Sequence, residues 1–359
     1  MLPFDLPEFD DHEQVCVGRD RDAGLFGVVA IHSTARGPAL GGCRMVPYQS
    51  GADAYVDALR LSQAMSYKNA LAGLPHGGGK AVIWADPARA KTPELLRAMG
   101  RFIATLHGRY ITAGDVGISV GDLDVIGEVN PWTTGRSPDR GGAGDSGILT
   151  AFGVWQGMRA SAEHMWGTPE LTDRVIGIEG VGKVGRRLAA HLVKEAGARV
   201  FVTDPNPEAI AGLVQEVNVT VVGSRAELLA QALDVYSPNA LGQVLTPQLA
   251  AGLTASIVCG GANNQVADAN VPQLLADRGV LYAPDFLVNC GGVVQVADEV
   301  LGFDEQRARL RVSEVFATAQ TVFARAQSEG LTPVAAATLE AKERIEAGAG
   351  RPFATPAGT

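Results

Sequence analysis

Lys80 follows three consecutive glycines, Gly77, Gly78 and Gly79, and begins the apolar run 81–85. Glycine triplets mark close approach by a ligand or by another stretch of backbone. A lysine in the desolvated crevice that results can act as a general base; the alternative is an ordinary surface lysine at a strand start. The segment is not a phosphate-binding Walker A loop, because Leu74 stands where its first glycine belongs and Ala81 where Ser or Thr should follow the lysine. Lys68 closes the series Ala54, Ala58, Leu61, Met65, Lys68, whose steps of 4, 3, 4 and 3 trace one face of a helix. On an apolar stripe a lysine either meets an anion or snorkels to water, and spacing alone leaves both open. Asp115, in Ala113-Gly114-Asp115, reads on its own as a turn or capping aspartate, and Gly41-Gly42 before Arg44 reads as a turn.

A second signature is Gly180-Val181-Gly182-Lys183-Val184-Gly185, a G-x-G-x-x-G. In a chain with 44 glycines the pattern alone is weak, but its setting is specific. It follows the apolar run 175–178 and opens a helical stretch. The next apolar run, 200–203, ends in Asp204, 24 residues after Gly180. That is the layout of a dinucleotide-binding β-α-β unit, in which an acid about 20 residues on holds a ribose. Gly180 permits the tight turn, Gly182 lets backbone N–H groups approach a pyrophosphate, and Gly185 lets helix and strand pack closely. The helix start adds unpaired donors and partial positive charge. Asp204 would accept from the ribose hydroxyls and repel a 2′-phosphate, which selects NAD. The alternative is a glycine-rich turn beside a capping aspartate.

The elements that must hold these groups alternate between β-rich runs and helical stretches, the pattern of an α/β fold. Strands are expected at 25–34, 81–86 and 109–113, with helices at 52–72 and 93–107. The stretch 133–147 is dense in Gly, Ser, Pro and charge and reads as a hinge or domain boundary. A helix at 148–165 leads into strands at 174–180, 199–204, 234–238, 256–261 and 280–285, with helices between, which predicts a parallel doubly wound sheet. The helical stretch 304–345 is expected to return to the first domain, and the Gly/Pro-rich tail 348–359 to fray. The expected domains are 1–140, completed by a C-terminal helix at about 330–350, and 141–329.

Thirty Lys and Arg against 39 Asp and Glu give a net charge of −9 over 359 residues, without a basic block, so nucleic acid and anionic membranes are poor partners. Cys16, Cys43, Cys259 and Cys290 form no C-x-x-C pair and are expected as free thiols in a reducing compartment. The six histidines form neither an H-x-x-x-H nor an H-E-x-x-H pair, so no metal site is expected. The acidic, proline-broken start is no targeting peptide, and no apolar run reaches the ~18 residues of a membrane span. A soluble, cytoplasmic protein is expected.

At this point several segments together become diagnostic: 37–44, 65–81, 112–117, 135–154, 177–185, 260–268 and 282–299. In order along nearly the whole chain they resemble the amino-acid dehydrogenase superfamily, and within it the leucine/valine/phenylalanine branch, nearest its bacterial branched-chain members. The resemblance implies an N-terminal substrate domain, a Rossmann-type NAD domain, a cleft between them and a homo-oligomer. It matches Lys68 to the lysine that holds the substrate carboxylate, Lys80 to the catalytic lysine and Asp115 to the acid that relays protons as ammonia leaves. Gly41 and Gly42 match a loop that approaches the substrate, and Leu40, Met65, Ala113, Val293 and Val296 fall at side-chain pocket positions. Asn263, in preference to Asn264, matches an asparagine near the substrate. Thr150, Ala240 and Asn264 are expected at the cofactor. Asn239 and Gln243 depart from the usual stretch near the nicotinamide, Gly114 from a larger residue and Cys290 from an alanine.

The activity implied is NAD-dependent oxidative deamination of valine, leucine or isoleucine to the 2-oxo acid and ammonia. A phenylalanine enzyme of the same branch and a silent NAD-binding protein are the alternatives. A 2-hydroxy-acid dehydrogenase would need a histidine paired with an acid near the nicotinamide, and no histidine follows His191.

Overall fold

A computed structural model describes residues 6–348. The tail expected to fray lies, from residue 349 on, outside the described residues. The chain forms two compact units, one of residues 6–146, Val293–Ala308 and 341–348, the other of Gly147–Gly292 and Arg309–Glu340. The division falls at 146/147 rather than 140/141, and Val293–Ala308 joins the first unit. Among the described residues no helix is long and apolar enough to cross a membrane.

The first unit is built on a five-stranded mixed sheet of order β1-β2-β4-β3-β5. Its strands are β1 (Gln14–Asp20), β2 (Leu25–Ser33), β3 (Ala39–Val46), β4 (Gly77–Trp84) and β5 (Tyr110–Gly114). β1 and β3 were not expected: β3 holds Gly41-Gly42, which composition reads as a turn but which pair with Thr112 and Ala113 of β5. β1 and β2 are antiparallel, β2 and β4 antiparallel, and β3 is parallel to both β4 and β5. Strand alternation sorts the two faces. Val28, Ala30 and Val82 pack with Ala54, Ala58 and Leu59 of helix α1 (Gly51–Leu71). Val29, Ile31, Ala81 and Ile83 pack with Leu95, Met99 and Ile103 of the helix Pro93–Ala104 and with Leu123 and Ile126 of the helix Val120–Gly127. Each of these helices starts on a side-chain cap: Ser50 accepts from Asp53 N–H, Thr92 from Leu95 N–H, and Ser119 with Asp122 forms a capping box.

The second unit carries a six-stranded, wholly parallel sheet of order β11-β10-β9-β6-β7-β8. Its strands are β6 (Val175–Glu179), β7 (Arg199–Thr203), β8 (Thr220–Val221), β9 (Val235–Pro238), β10 (Ile257–Val258) and β11 (Leu281–Tyr282). Counted from β6, the order is that of the dinucleotide-binding Rossmann sheet. β8, two exposed residues long, carries no burial signal and was not expected.

α1 corrects one sequence expectation. Ala54 and Ala58 are buried, but beyond them the buried ridge runs through Ser62, Ser66 and Asn69, while Leu61, Met65 and Lys68 are half-buried beside it. The ridge finds polar partners: Ser62 Oγ lies 2.8 Å from His12 Nε2, Ser66 Oγ lies 2.8 Å from His32 Nδ1, and Asn69 Nδ2 donates to Gly77 O (2.6 Å) and Leu40 O (3.1 Å), while Asn69 Oδ1 is buried without one. The glycine triplet of β4 lets α1 and its neighbours come this close. A side chain at Gly78 would start 2.0 Å from Ser66 N, and one at Gly77 would start 1.8 Å from Ser33 O. Gly77 and Gly78 therefore serve approach by other backbone, and Gly79 makes room for the Tyr110 ring.

Gly78→Ala should accordingly force α1 off the sheet and cost more than about 3 kcal/mol, the scale of overpacking against fixed backbone. Denaturant midpoints of the two proteins measure this, and an unchanged midpoint would contradict the packing described.

Candidate active site

Lys80 lies within β4, not at a strand start, paired with Ala30 of β2. It shares strand parity with Val82, so it projects from the face that carries α1. The parallel register puts Leu40 and Arg44 of β3 on that face beside Gly78 and Val82. Ala113, level with Gly42, falls there too, and Asp115 continues the same parity just beyond β5. Pleating alone thus gathers Leu40, Gly42, Lys80, Ala113 and Asp115. Met65 of α1 lies against Gly41, and Lys68 follows it one turn later. Leu40 is fully covered, Ala113 and Val293 are buried, and Val296 is half-buried with its Cγ1 near Gly135.

The centre of this group is an ion-paired chain. Lys80 Nζ pairs with Asp115 Oδ2 while its side chain is only 6% exposed. Arg44 Nε donates to the same oxygen at 3.0 Å, and its Nη1 donates to Asp57 Oδ2 at 3.1 Å. Tyr48 closes the chain by donating to Asp57. Burial pushes the Asp115 carboxyl up, but Lys80 and then Arg44 outweigh it and hold the group down at about 2. Burial pushes the neighbouring Cys43 thiol up to about 12, so it stays protonated. Asp115 approaches because Gly42 has no side chain; one there would start 2.9 Å from Asp115 Cβ and 2.7 Å from Gly114 O. The Tyr110 hydroxyl fixes the glycine pair from below, donating to Gly41 O at 2.7 Å and contacting Gly42 O at 3.2 Å. Such a cluster can bind an anion and move a proton between a lysine and a carboxylate.

Sequence reasoning missed Arg44, Asp57, Asn69 and Tyr110. Of these only Arg44 left a signal: a cation two residues past Gly42 in a strand shares the face of Gly42.

In the second unit, Gly180 has φ +93° and opens the turn after β6. A side chain at Gly185 would start 1.9 Å from Gly180 O, whereas the space over Gly182 is open for at least 4 Å. Gly182 caps the helix Lys183–Lys194 without a side-chain acceptor, leaving its first N–H groups facing that space, with Lys183 exposed and Val184 half-buried. Asp204 accepts from Val181 N–H at 2.7 Å and from Asn206 N–H at 2.8 Å, and each oxygen keeps a free lone pair. This is the cradle a dinucleotide pyrophosphate and ribose require.

Asn263 and Asn264 sit in the loop after β10 and are exposed, as is Ala240, while Thr150 in the helix Gly147–Trp166 is half-buried. Asn289, which sequence reasoning missed, holds that loop: its Nδ2 donates to Asn263 Oδ1 at 2.9 Å. The unusual Asn239 and Gln243 also serve the loops. Asn239 Oδ1 accepts from Gly261 N–H at 2.9 Å, and Gln243, with φ +57°, donates its N–H to Asn264 O at 2.7 Å.

Comparison with known proteins bears on both halves. The model described as "Glu/Leu/Phe/Val dehydrogenase, dimerisation domain" matches residues 12–129, and that described as "Glutamate/Leucine/Phenylalanine/Valine dehydrogenase" matches residues 204–348. The chain belongs to the Glu/Leu/Phe/Val dehydrogenase family. It is 53% identical over 343 residues to a valine dehydrogenase of Streptomyces coelicolor, covering 95% of this chain and 94% of that one. A leucine dehydrogenase of Geobacillus stearothermophilus is 41% identical over 343 residues, covering 96% of this chain and 93% of that one. Among solved structures, the L-tryptophan dehydrogenase of Nostoc punctiforme superposes with a TM-score of 0.85 at 36% identity, over 97% of this chain and 99% of that one. As a member of the Glu/Leu/Phe/Val dehydrogenase family the chain is an amino-acid dehydrogenase, an oxidoreductase acting on CH–NH2 groups with a nicotinamide cofactor.

The charge chain gives a pH signature. Asp115, held at about 2 in the folded protein against an ordinary 3.8, adds stability that is full above pH ~4 and is lost as pH falls toward 2. The margin of the wild type over Asp115→Asn should be about 2 kcal/mol at neutral pH and should vanish between pH 4 and 2. Urea midpoints of both proteins along that titration test it, and a margin that stays constant to pH 2 would refute it.

Proposed function

We propose that this chain is an NAD-dependent dehydrogenase of branched-chain L-amino acids, converting valine, leucine or isoleucine reversibly to the 2-oxo acid and ammonia. The observation that carries the reading is the buried Lys80–Asp115 pair on the face of the first sheet that α1, the helix bearing Lys68, covers. In this reading the first unit takes the substrate and the second the cofactor.

Lys68 holds the α-carboxylate by a charge-assisted contact. The bound nicotinamide would accept the hydride from Cα. Lys80, once it has passed a proton to Asp115, draws a proton from water so that the oxygen can attack the imine carbon. Asp115 gives the proton it received from Lys80 to the nitrogen and then takes the carbinolamine hydroxyl proton as the C=O bond forms and ammonia leaves. Gly41 and Gly42 let the substrate lie against backbone, and Asn263, oriented by Asn289, is the polar group expected at the amino acid from the second unit.

Gly180, Gly182, Lys183, Val184 and Gly185 would hold the pyrophosphate, Asp204 the ribose, and Thr150, Ala240 and Asn264 the nicotinamide end. NAD is favoured over NADP because a carboxylate at Asp204 repels a 2′-phosphate, and among the described residues no arginine forms an ion pair with it. Arg199 donates to Asp173 O, and Arg225 is engaged by Glu179. The family description of residues 12–129 as a dimerisation domain supports a homo-oligomer.

The side-chain pocket assigned to Leu40, Met65, Ala113, Val293 and Val296 offers no hydrogen bond or charge. Glutamate would bury an unpaired carboxylate there at a cost of several kcal/mol. Valine, leucine and isoleucine should differ only modestly, since one methylene is worth about 1–3 kcal/mol.

Two measurements check this reading. Lys80→Ala should lower kcat at least about 100-fold, the usual worth of a positioned acid–base group, with cofactor affinity unchanged; near-normal turnover would remove Lys80 from the chemistry. Across valine, leucine, isoleucine, phenylalanine and glutamate, kcat/KM should be highest for the three branched substrates, and Ala113→Gly should improve phenylalanine. A lead for phenylalanine or glutamate in the unmodified enzyme would overturn the substrate assignment.

A further inference from the structure

Glu179 ends β6, immediately before the Gly180 turn, and its side chain is 11% exposed. Both of its oxygens accept from Arg225 Nε at 2.8 Å; Arg225 Nη2 also donates to it, as does the Tyr236 hydroxyl. Arg225 opens the short helix Arg225–Leu229, which follows β8 and packs on β6 and β7. The guanidinium therefore lies at the carboxyl ends of these strands. Glu179 is paired in register with Thr203, the residue before Asp204, and Val181, two residues past Glu179, donates its N–H to Asp204. A partly exposed arginine, 44% open at its side chain, thus lies at the strand ends that carry Asp204, the one carboxylate expected to meet the ribose, yet spends its fork on a different carboxylate.

We propose that Glu179 tethers Arg225 and so sets the cofactor choice of this enzyme: held on Glu179, the cation is withheld from the ribose edge, and released it would bind a 2′-phosphate. The inference rests on the assignment of Asp204 to the ribose. The physical basis is competition for one planar fork. Guanidinium binds a carboxylate or a phosphate through two parallel N–H donors, and the same donors cannot serve both. Other nearby cations do not offer this choice. Arg199 stands at the opposite end of β7, and Lys183 lies at the pyrophosphate turn, which NAD and NADP present alike.

Glu179→Gln keeps the shape and an acceptor for Tyr236 but removes the charge and one of the two acceptor oxygens. The test is calorimetric binding of NAD, NADP and adenosine 2′,5′-bisphosphate without amino acid, alongside kcat/KM with each cofactor. The wild type should bind NAD more tightly. In Glu179→Gln the NADP-to-NAD affinity ratio should rise at least about tenfold and adenosine 2′,5′-bisphosphate should tighten with it. Adding Arg225→Ala should erase the gain. Arg225→Ala alone should leave the ratio within about twofold, since a tethered arm contributes nothing. A ratio unmoved in a folded Glu179→Gln refutes the tether. So does a loss of NADP binding in Arg225→Ala alone, which stands as the deciding variant if Glu179→Gln does not fold. Equal affinity of the wild type for both cofactors would instead refute the NAD preference itself.

Discussion

Taking the Lys80 ammonium out of water is costly unless an anion meets it at close range, and the first unit is arranged to meet that demand. Asp115 can reach Lys80 only because Gly42 leaves room, and Lys80, with Arg44 as a second cation, holds it ionised there against burial. Arg44 in turn is balanced by Asp57 of α1, which ties the charge chain to the helix that bears Lys68. Two cations and two carboxylates, Lys80 and Arg44 with Asp115 and Asp57, balance one another within this chain of ion pairs. Removing Asp115 would leave the buried Lys80 ammonium without its anion.

The second unit solves a different problem with the same means, closely approaching backbone beside a placed carboxylate. There the turn at Gly180 and the uncapped helix start offer donors in place of lysines. Polar side chains that do no chemistry, Asn239 and Asn289, hold the loops that must carry chemistry. Loops of this kind owe their shape to such side chains because no strand ladder supplies their hydrogen bonds.

Much of this was legible in the sequence, for physical reasons. The Rossmann unit is local: strand, turn, helix, strand and acid follow one another, so β6, β7 and Asp204 could be placed from spacing alone. The strands β9, β10 and β11 were found with ends too generous by up to three residues, since pairing, not composition, fixes where a ladder stops. β3 was unreadable because its glycines, required by the approach of Asp115, carry turn composition into a central strand. The ridge Ser62, Ser66, Asn69 was unreadable because a buried serine looks like a surface one until its histidine partners, which are distant in sequence, are known. Arg44 was missed because the alternation that unites it with Lys80 appears only once the strands are in register, and Asp57 because its partner Arg44 lies on a different element.

The segment 133–147, whose composition suggests looseness, is pinned within the first unit by residues far along the chain. Glu299 accepts from Gly135 N–H at 2.7 Å and Ala143 N–H at 3.0 Å, and Gln295 donates to Ala143 O at 3.0 Å. Arg344 likewise donates to Leu71 O at 3.0 Å, at the end of α1. On the ribosome, all of Gly147–Gly292 is made between the two sides of the first bond. The N-terminal sheet must therefore wait, its α1 end and glycine-rich flank unclosed, while the entire Rossmann sheet is synthesised and free to fold. The unit that begins first is completed last, and it is during that delay that this chain is most exposed to misassembly.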